Sequence, residues 1–351
     1  MVRLRDRLQK NISTFFDEQG FVYTHTPILT GNDAEGAGEA FRIAEIASAH
    51  PHSASPSPHT ATSSPAHEKE FFSRPAHLTV SHQLHLEALA TSLARVYTLS
   101  PCFRAERSLT GRHLAEFWML EAEWAFTTGG VGATCDLVEA CLRSVVGAGS
   151  TDIDVLWKGK DKDDDEKRRA LDDAISSAGA PWARMTYTDA VRALEDHARM
   201  VPDAFQYAPA WGRALQSEHE RWLAETLVRG PVFVTDYPAA QKPFYMRRNG
   251  DGDGERETVA CFDLIVPHVG ELVGGSVRED RAGVLEEQMR KDFGPDLGSG
   301  EYQWYLDLRR FGGAPHMGFG MGFERLVGWV GGIENVRESI PFPRWAGRML
   351  L

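Results

Sequence analysis

Residues 103–123 read FRAERSLTGRHLAEFWMLEAE, and residues 318–326 read GFGMGFERL. The first segment carries Arg104, Glu106, Arg107, Arg112, His113, Phe117, Glu121 and Glu123 on two strand-like stretches joined by a basic loop, with Gly111 as its turn residue. Arginine suits phosphate because its planar fork makes two charge-assisted hydrogen bonds at once. The second segment alternates Gly318, Gly320 and Gly322 and then runs into Glu324 and Arg325. Strand side chains alternate faces, so these glycines leave one face bare, and a flat base could lie against backbone there. Arg325 would stand where strand becomes helix, placed to stack on a base or hold a phosphate. Together the two segments suggest a cradle for a nucleoside triphosphate.

Each segment alone has a plainer reading. A glycine run also marks a packing strand with a helix against it, and a charged hairpin is usually a solvated surface with weak ion pairs. The combination is harder to explain that way. Two common phosphate folds are disfavoured. The chain has no GxxxxGK[ST], and Phe323 stands where GxGxxG needs its third glycine. On the strand reading Arg104 and Glu106 share a face, and so do Phe117, Met119, Glu121 and Glu123.

The elements that must position these groups fit a soluble enzyme. The chain has 351 residues, 42% of them hydrophobic, ample for a core. Its net charge of −12 excludes non-specific nucleic-acid binding by the surface as a whole, so an RNA partner needs a local basic face. Arg3, Arg5, Arg7 and Lys10 offer one candidate, though a solvated helix face is the plainer reading; the 107–114 loop offers another. The four cysteines, Cys102, Cys135, Cys141 and Cys261, make no CxxC or metal spacing, which implies reduced thiols in cytosol or mitochondrial matrix. Residues 50–67, rich in Pro, Ser and His, read as a disordered insert, and 158–169 as a charged linker or helix start. Residues 182–196 read as a short strand and a helix with Thr188 as N-cap. The N-terminal stretch reads as an amphipathic helix rather than a transit peptide.

The two opening segments resemble motifs 2 and 3 of the class II aminoacyl-tRNA synthetases, and FFDEQGFVYTHTPILT (15–30) resembles motif 1. Within that class LTVSHQL (78–84), PVFVTDYP (231–238), FYMRRN (244–249), FDLIVPHVGELVGGSVRE (262–279) and IPFPR (340–344) resemble the bacterial-type asparaginyl-tRNA synthetases, in the family's order. The resemblance implies an α+β fold, a mainly antiparallel sheet flanked by helices, filling residues 1–351. It implies a homodimer built through motif 1, ATP and Mg²⁺ as cofactors, and asparagine and tRNA(Asn) as partners, with no membrane. The family's N-terminal OB-fold, which reads the anticodon, has no counterpart in the sequence.

The resemblance also implies roles. Arg104 bridges the amino-acid carboxylate and the α-phosphate, Arg112 or His113 reaches the γ-phosphate, and Phe117 and Arg325 sandwich the adenine. Arg104, Glu271 and Arg325 are thus the catalytic set. Asp263 and Glu271 match the Mg²⁺ carboxylates. Ser81, Gln83 and Glu121 match the α-ammonium acceptors, Glu35 sits on a mobile lid over them, and Arg278 matches the arginine that holds the side-chain oxygen. Glu106, beside the ATP site, could take the amide NH₂. Leu86 replaces a lysine of aspartate-specific relatives, which favours a neutral amide. His82, Val277 and the Arg107, Leu109 and Gly111 loop depart from the family pattern. Two rivals follow: an aspartate–ammonia ligase on the same ATP site, and an inactive synthetase-like interaction module.

Overall fold

The computed structural model describes residues 1–31, 40–44, 71–108, 110–147, 151–158, 162–176, 179–250, 256–295 and 302–349. Helix α1 (Val2–Glu18) leads into strands β1 (Val22–Tyr23), β2 (Leu29–Thr30), β3 (Arg42–Ile43) and β4 (Ala76–Leu78), then helix α2 (Gln83–Leu93) and the long hairpin β5 (Arg95–Phe103) and β6 (Glu116–Ala125). Next come α3 (Gly130–Gly147), α4 (Thr151–Trp157), α5 (Lys162–Ile175), β7 (Ala183–Thr186), α6 (Tyr187–Met200) and α7 (Ser217–Arg221), which widens into a π turn over Trp222–Val228. The chain closes through β8 (Val232–Thr235), β9 (Cys261–Val266), β10 (Gly270–Val277), α8 (Ala282–Phe293), α9 (Gln303–Arg310), β11 (His316–Gly322) and α10 (Phe323–Gly331).

Eight strands form one sheet in the order β1-β5-β6-β11-β10-β9-β8-β7. Among the described residues only the outer pairs β1–β5 and β7–β8 are parallel. A smaller sheet, β2-β4-β3, lies beside it. The architecture is the expected α+β one.

Period-two alternation decides which face carries chemistry. Leu120, Ala122 and Trp124 of β6 and Met317, Phe319 and Met321 of β11 enter the main core. There they meet Leu4, Leu8, Ile12 and Phe16, spaced to form one stripe of α1, and α3's Val138 and Leu142. Phe16 stacks on Tyr97 with ring centroids 4.5 Å apart. The intervening residues, Phe117, Met119, Glu121 and Glu123 of β6 and the β11 glycines, face the opposite way. In β10 a bulge between Glu271 and Val273 inserts one residue. Without it Glu271 would share the core face of Val273; with it Glu271 joins Gly274 on the other side. Gly275 is glycine because a Cβ there would come within 2.5 Å of the Phe262 ring.

Two local expectations change. β5 ends at Phe103, so Arg104 and Glu106 lie in the 104–115 loop and not on a strand. The N-cap of α6 is Thr186, whose hydroxyl accepts the Asp189 N–H at 3.1 Å; Thr188 already lies in the first turn and accepts the Trp211 Nε1–H. The charged insert is a helix start, as expected: residues 162–169 open α5. The insert at 50–67 lies outside the described residues. Among those residues no helix is long and apolar enough to cross a membrane.

Candidate active site

Two cavities open on the site face of the sheet. The first, about 170 Å³, is bordered by Arg104, Glu106, Arg112, His113, Phe117, Glu271 and Arg325, with Gly320 and Gly322 as its floor. A Cβ at Gly320 would meet nothing closer than Met119 Sδ, at 3.4 Å. Gly318 differs from the sequence expectation. Its missing side chain makes room for Glu123, whose Oε1 lies 2.0 Å from where a Cβ would sit, so that glycine is covered rather than bare. The Arg104 guanidinium stands 5.3 Å from the Phe117 ring centre. Arg325, in the first turn of α10, donates to the Glu271 carbonyl at 2.6 Å. Its neighbour Glu324 is structural: it accepts from Arg5 at 2.8 Å and from the Trp118 N–H at 2.9 Å, clamping α1 to β6.

The 104–115 loop is tied down. His113 lies 3.2 Å from the Glu106 carboxylate. Arg112 donates to Ser217 Oγ at 2.9 Å and to Glu220 at 3.3 Å. Burial, with Glu271 nearby, pushes the Glu220 carboxyl up to about 7. Gly270 (φ +85°) permits this contact, since a Cβ there would sit 2.5 Å from Glu220 Oε2.

The second cavity, about 200 Å³, shares Arg104, Met119, Glu271 and Gly320 with the first and adds Ser81, Gln83, Glu121, Glu123, Lys242, Asp263 and Arg278. Ser81 Oγ and the His82 N–H donate to the two oxygens of Glu121 at 2.5 and 2.8 Å, fixing the carboxylate. Gln83 donates its NH₂ to Glu87 at 2.9 Å. Arg278 is buried: Nε and Nη2 donate to Glu123 and Nη1 to Ser276 Oγ. Beneath it Glu87 accepts from Tyr305, Arg309 and His316 at 2.6 to 2.9 Å. Burial opposes charge on Glu87, but Arg309, His316 and Arg278 hold it well below the usual carboxylate range. Glu123, buried beside that charge, is pushed up to about 7 despite Arg278.

Asp263 and Glu271 flank Gly274. A Cβ at Gly274 would approach Glu271 Oε1 at 3.4 Å and Asp263 Oδ1 at 3.5 Å, so the two carboxylates converge on a space that any other residue would fill. An all-oxygen donor pair of this kind fits Mg²⁺. Lys242, stacked 4.1 Å from the Tyr237 ring centre, holds Asp263 at 2.8 and 3.0 Å. Burial pushes Asp263 up, and the Lys242 ammonium opposes that shift.

The structure thus brings Arg104, Glu106, Arg112, His113, Phe117, Glu271 and Arg325 around one cavity, and Ser81, Gln83, Glu121, Asp263 and Arg278 around the next. Glu106 does not border the second, so the group beside Arg278 that can accept an amide NH₂ is Glu123. Leu86 does not face the site; it is fully buried with Ala90, Val96, Ala125 and Ala314. Glu35 lies outside the described residues. Sequence reasoning missed the roles of Glu123, Glu87, Lys242 and Glu220. Only Glu123 carried a signal, its period-two spacing from Glu121.

The family model for class II tRNA synthetases (D, K and N) matches residues 1–346. The asparagine–tRNA ligase of Syntrophobacter fumaroxidans is 44% identical over 98% of this chain and 69% of its own length. That of Rhodopirellula baltica is 45% identical over 99% of the chain and 66% of its own length. Among solved structures, the asparaginyl-tRNA synthetase from Pyrococcus horikoshii complexed with asparaginyl-adenylate superposes with a TM-score of 0.77 at 28% identity, covering 99% of this chain and 69% of that one.

Proposed function

The chain belongs to the class II tRNA synthetases of the D, K and N group, and we propose that it activates asparagine with ATP and transfers it to tRNA(Asn). One observation carries the reading: Arg104 borders both the nucleotide cavity and the amino-acid cavity. Activation joins two anions. A carboxylate oxygen of asparagine attacks the α-phosphorus, the new O–P bond forms, and pyrophosphate leaves with the electrons of the old one. A fixed cation shared by both partners lowers their repulsion and stabilises the transition state. Phe117 and Arg325 flank the base over Gly320 and Gly322, and Arg112 or His113 meets the far end of the triphosphate. Glu121 and Ser81 receive the α-ammonium. Arg278 donates to the side-chain oxygen, and Glu123 accepts from the amide NH₂. Asp263 and Glu271 would hold Mg²⁺, which supplies charge neutralisation of the phosphates. Ligation to tRNA follows at the same carbonyl.

The chain acts as a homodimer through the α1–β2 region; the exposed apolar Val22, Tyr23, Ile28 and Leu29 beside the sheet edge support this. Four buried free thiols fit a reducing compartment, cytosol or mitochondrial matrix. ATP–pyrophosphate exchange with asparagine against aspartate tests the reading. Asparagine-dependent exchange supports it. Exchange with aspartate alone, and release of asparagine once ammonia is added, replaces it with the ammonia ligase.

A further inference from the structure

We propose that His82, Cys102 and Glu121 form a site for a thiophilic divalent cation of the Zn²⁺ type, and that its occupancy takes Glu121 from the amino-acid substrate and so inhibits activation. The inhibitory half rests on the function proposed above; the binding half does not. All three residues are buried, and their ligand atoms lie within 4.8 Å of one another. Zinc bonds of about 2.0–2.3 Å place tetrahedral ligand atoms about 3.5 Å apart, so no pair has to close by much more than about 1 Å. His82 is one of the positions where this chain departs from the family pattern, which makes the site a property of this chain.

Each ligand comes from a different element: Cys102 from β5, Glu121 from β6 and His82 from the N-cap of α2. In the β5–β6 ladder Thr98 stands opposite Glu121 and Cys102 opposite Phe117, so thiol and carboxylate project from the same face. The His82 ring is already oriented. Its Nε2 lies 3.1 Å from the Pro101 carbonyl, which can only accept, so Nε2 carries the proton. In the neutral ring the lone pair is then on Nδ1, 2.6 Å from the Thr26 hydroxyl that donates to it. An imidazole with its N–H fixed on a backbone carbonyl is the form a metal ligand takes, and a cation has only the Thr26 hydroxyl to displace.

The donor set selects the ion. A thiolate with an imidazole suits zinc, whereas Mg²⁺ prefers oxygen and is matched by Asp263 and Glu271. On binding, the Cys102 thiol releases its proton to solvent. One thiolate and one carboxylate then cancel the double charge of the ion, so the buried site is neutral overall. The fourth position is left to water, as in zinc sites with three protein ligands. Glu121 and Ser81 border the amino-acid cavity, which gives the ion its way in. A Glu121 carboxylate bound to a cation cannot also receive the α-ammonium of asparagine, so ion and substrate exclude each other.

The test adds Co²⁺ or Zn²⁺ to the reduced protein in excess Mg²⁺. Cobalt bound through a thiolate shows a sulfur-to-metal charge-transfer band. The His-rich residues 50–67 contain no cysteine, so the band does not report on them. The wild type should give the band. Cys102→Ser should lose it and bind Zn²⁺ at least about 10-fold more weakly, since even an outer partner of a metal ligand is worth that much. His82→Asn should weaken Zn²⁺ binding likewise. In asparagine-dependent pyrophosphate exchange Zn²⁺ should inhibit the wild type, and raising asparagine, but not ATP, should relieve the inhibition. Cys102→Ser should exchange at the wild-type rate without Zn²⁺ and resist Zn²⁺ when it is added. A wild type without the band, a band that persists in Cys102→Ser, or inhibition that asparagine does not relieve overturns the proposal. Failure of the underlying function reads out separately, as absence of asparagine-dependent exchange in the wild type, because the cobalt band needs no catalysis.

Discussion

Glu123→Gln tests how the site tells asparagine from aspartate. Glu123 is 1% exposed and shares its carboxylate with the Nε and Nη2 of Arg278. In the proposed pose it also accepts the substrate's NH₂. An amide at position 123 offers one oxygen, and Arg278 would take it, leaving an NH₂ against the substrate's NH₂. A hydrogen bond to a charged group contributes about 1.5–3 kcal/mol, so kcat/KM for asparagine should fall by about 10- to 100-fold. Aspartate should gain, because a like charge facing its carboxylate has gone. The wild type should already show this through pH. Burial lifts Glu123 from the ordinary 4.5 to about 7, so it is protonated below that value and ionised above it. Its charge, which favours the amide and repels the acid, therefore appears only as pH rises through about 7. The asparagine-to-aspartate ratio of kcat/KM in pyrophosphate exchange should rise across that window in the wild type and stay flat in Glu123→Gln. Removing one partner of a buried pair destabilises by about 3–5 kcal/mol, and the lower end applies here because Glu87 remains 3.8 Å from Arg278. Thermal unfolding shows whether the variant is folded at the assay temperature. A folded variant with the wild-type ratio, or a wild-type ratio indifferent to pH, refutes the reasoning.

Arg104→Ala should reduce exchange by about 100-fold or more, because one guanidinium serves both reacting anions; near-normal exchange by a folded variant removes Arg104 from the site. Glu271→Gln should raise the Mg²⁺ concentration needed for half-maximal exchange, with EDTA abolishing activity, and an unchanged Mg²⁺ titration would show that the carboxylate pair holds no metal. Leu86→Lys should unfold more easily in denaturant by about 3–5 kcal/mol instead of shifting selectivity, since the lysine would enter a sealed apolar cluster; a stable protein that prefers aspartate would show that position 86 faces the substrate. Gly318→Ala should lower the thermal unfolding temperature and raise KM for asparagine more than KM for ATP, because its Cβ would displace Glu123 and press within 2.5 Å of the Ala122 backbone oxygen; unchanged stability and unchanged KM for asparagine would refute the close packing at Gly318.

What the sequence disclosed and what it hid follow one physical rule. Strand periodicity is local, so Phe117, Met119, Glu121 and Glu123 could be put on one face, and the alternating glycines on another strand, before any fold was known. The α1 stripe was legible for the same reason. What failed were inferences that needed a neighbour. Gly318 looks like the rest of a bare floor until Glu123 is seen crossing it from the next strand. Leu86 lies three residues after Gln83, yet it faces Ala125 and Ala314, whereas Glu87, a full turn on, takes the Gln83 amide and supports Arg278 from below. Glu271 reaches the site side only through a bulge that no pattern of residue types announces.

Lys242 and Glu220 show why charge is the hardest part to read. Lys242 sits in irregular backbone and Glu220 in the five-residue α7, too short for a period to assign a face. Each matters through a partner distant in sequence, Asp263 for one and Arg112 for the other. Both pairs hold a group that borders the proposed site on an internal counter-ion. Arg112 rests on Glu220 and Asp263 on Lys242, so each of these charges has an internal partner. A triphosphate would compete with Glu220 for Arg112, and Mg²⁺ with Lys242 for Asp263. On the proposed function, substrate affinity is a difference between two paired states, which would make Lys242 and Glu220 determinants of ATP affinity although neither was visible as a site residue in the sequence.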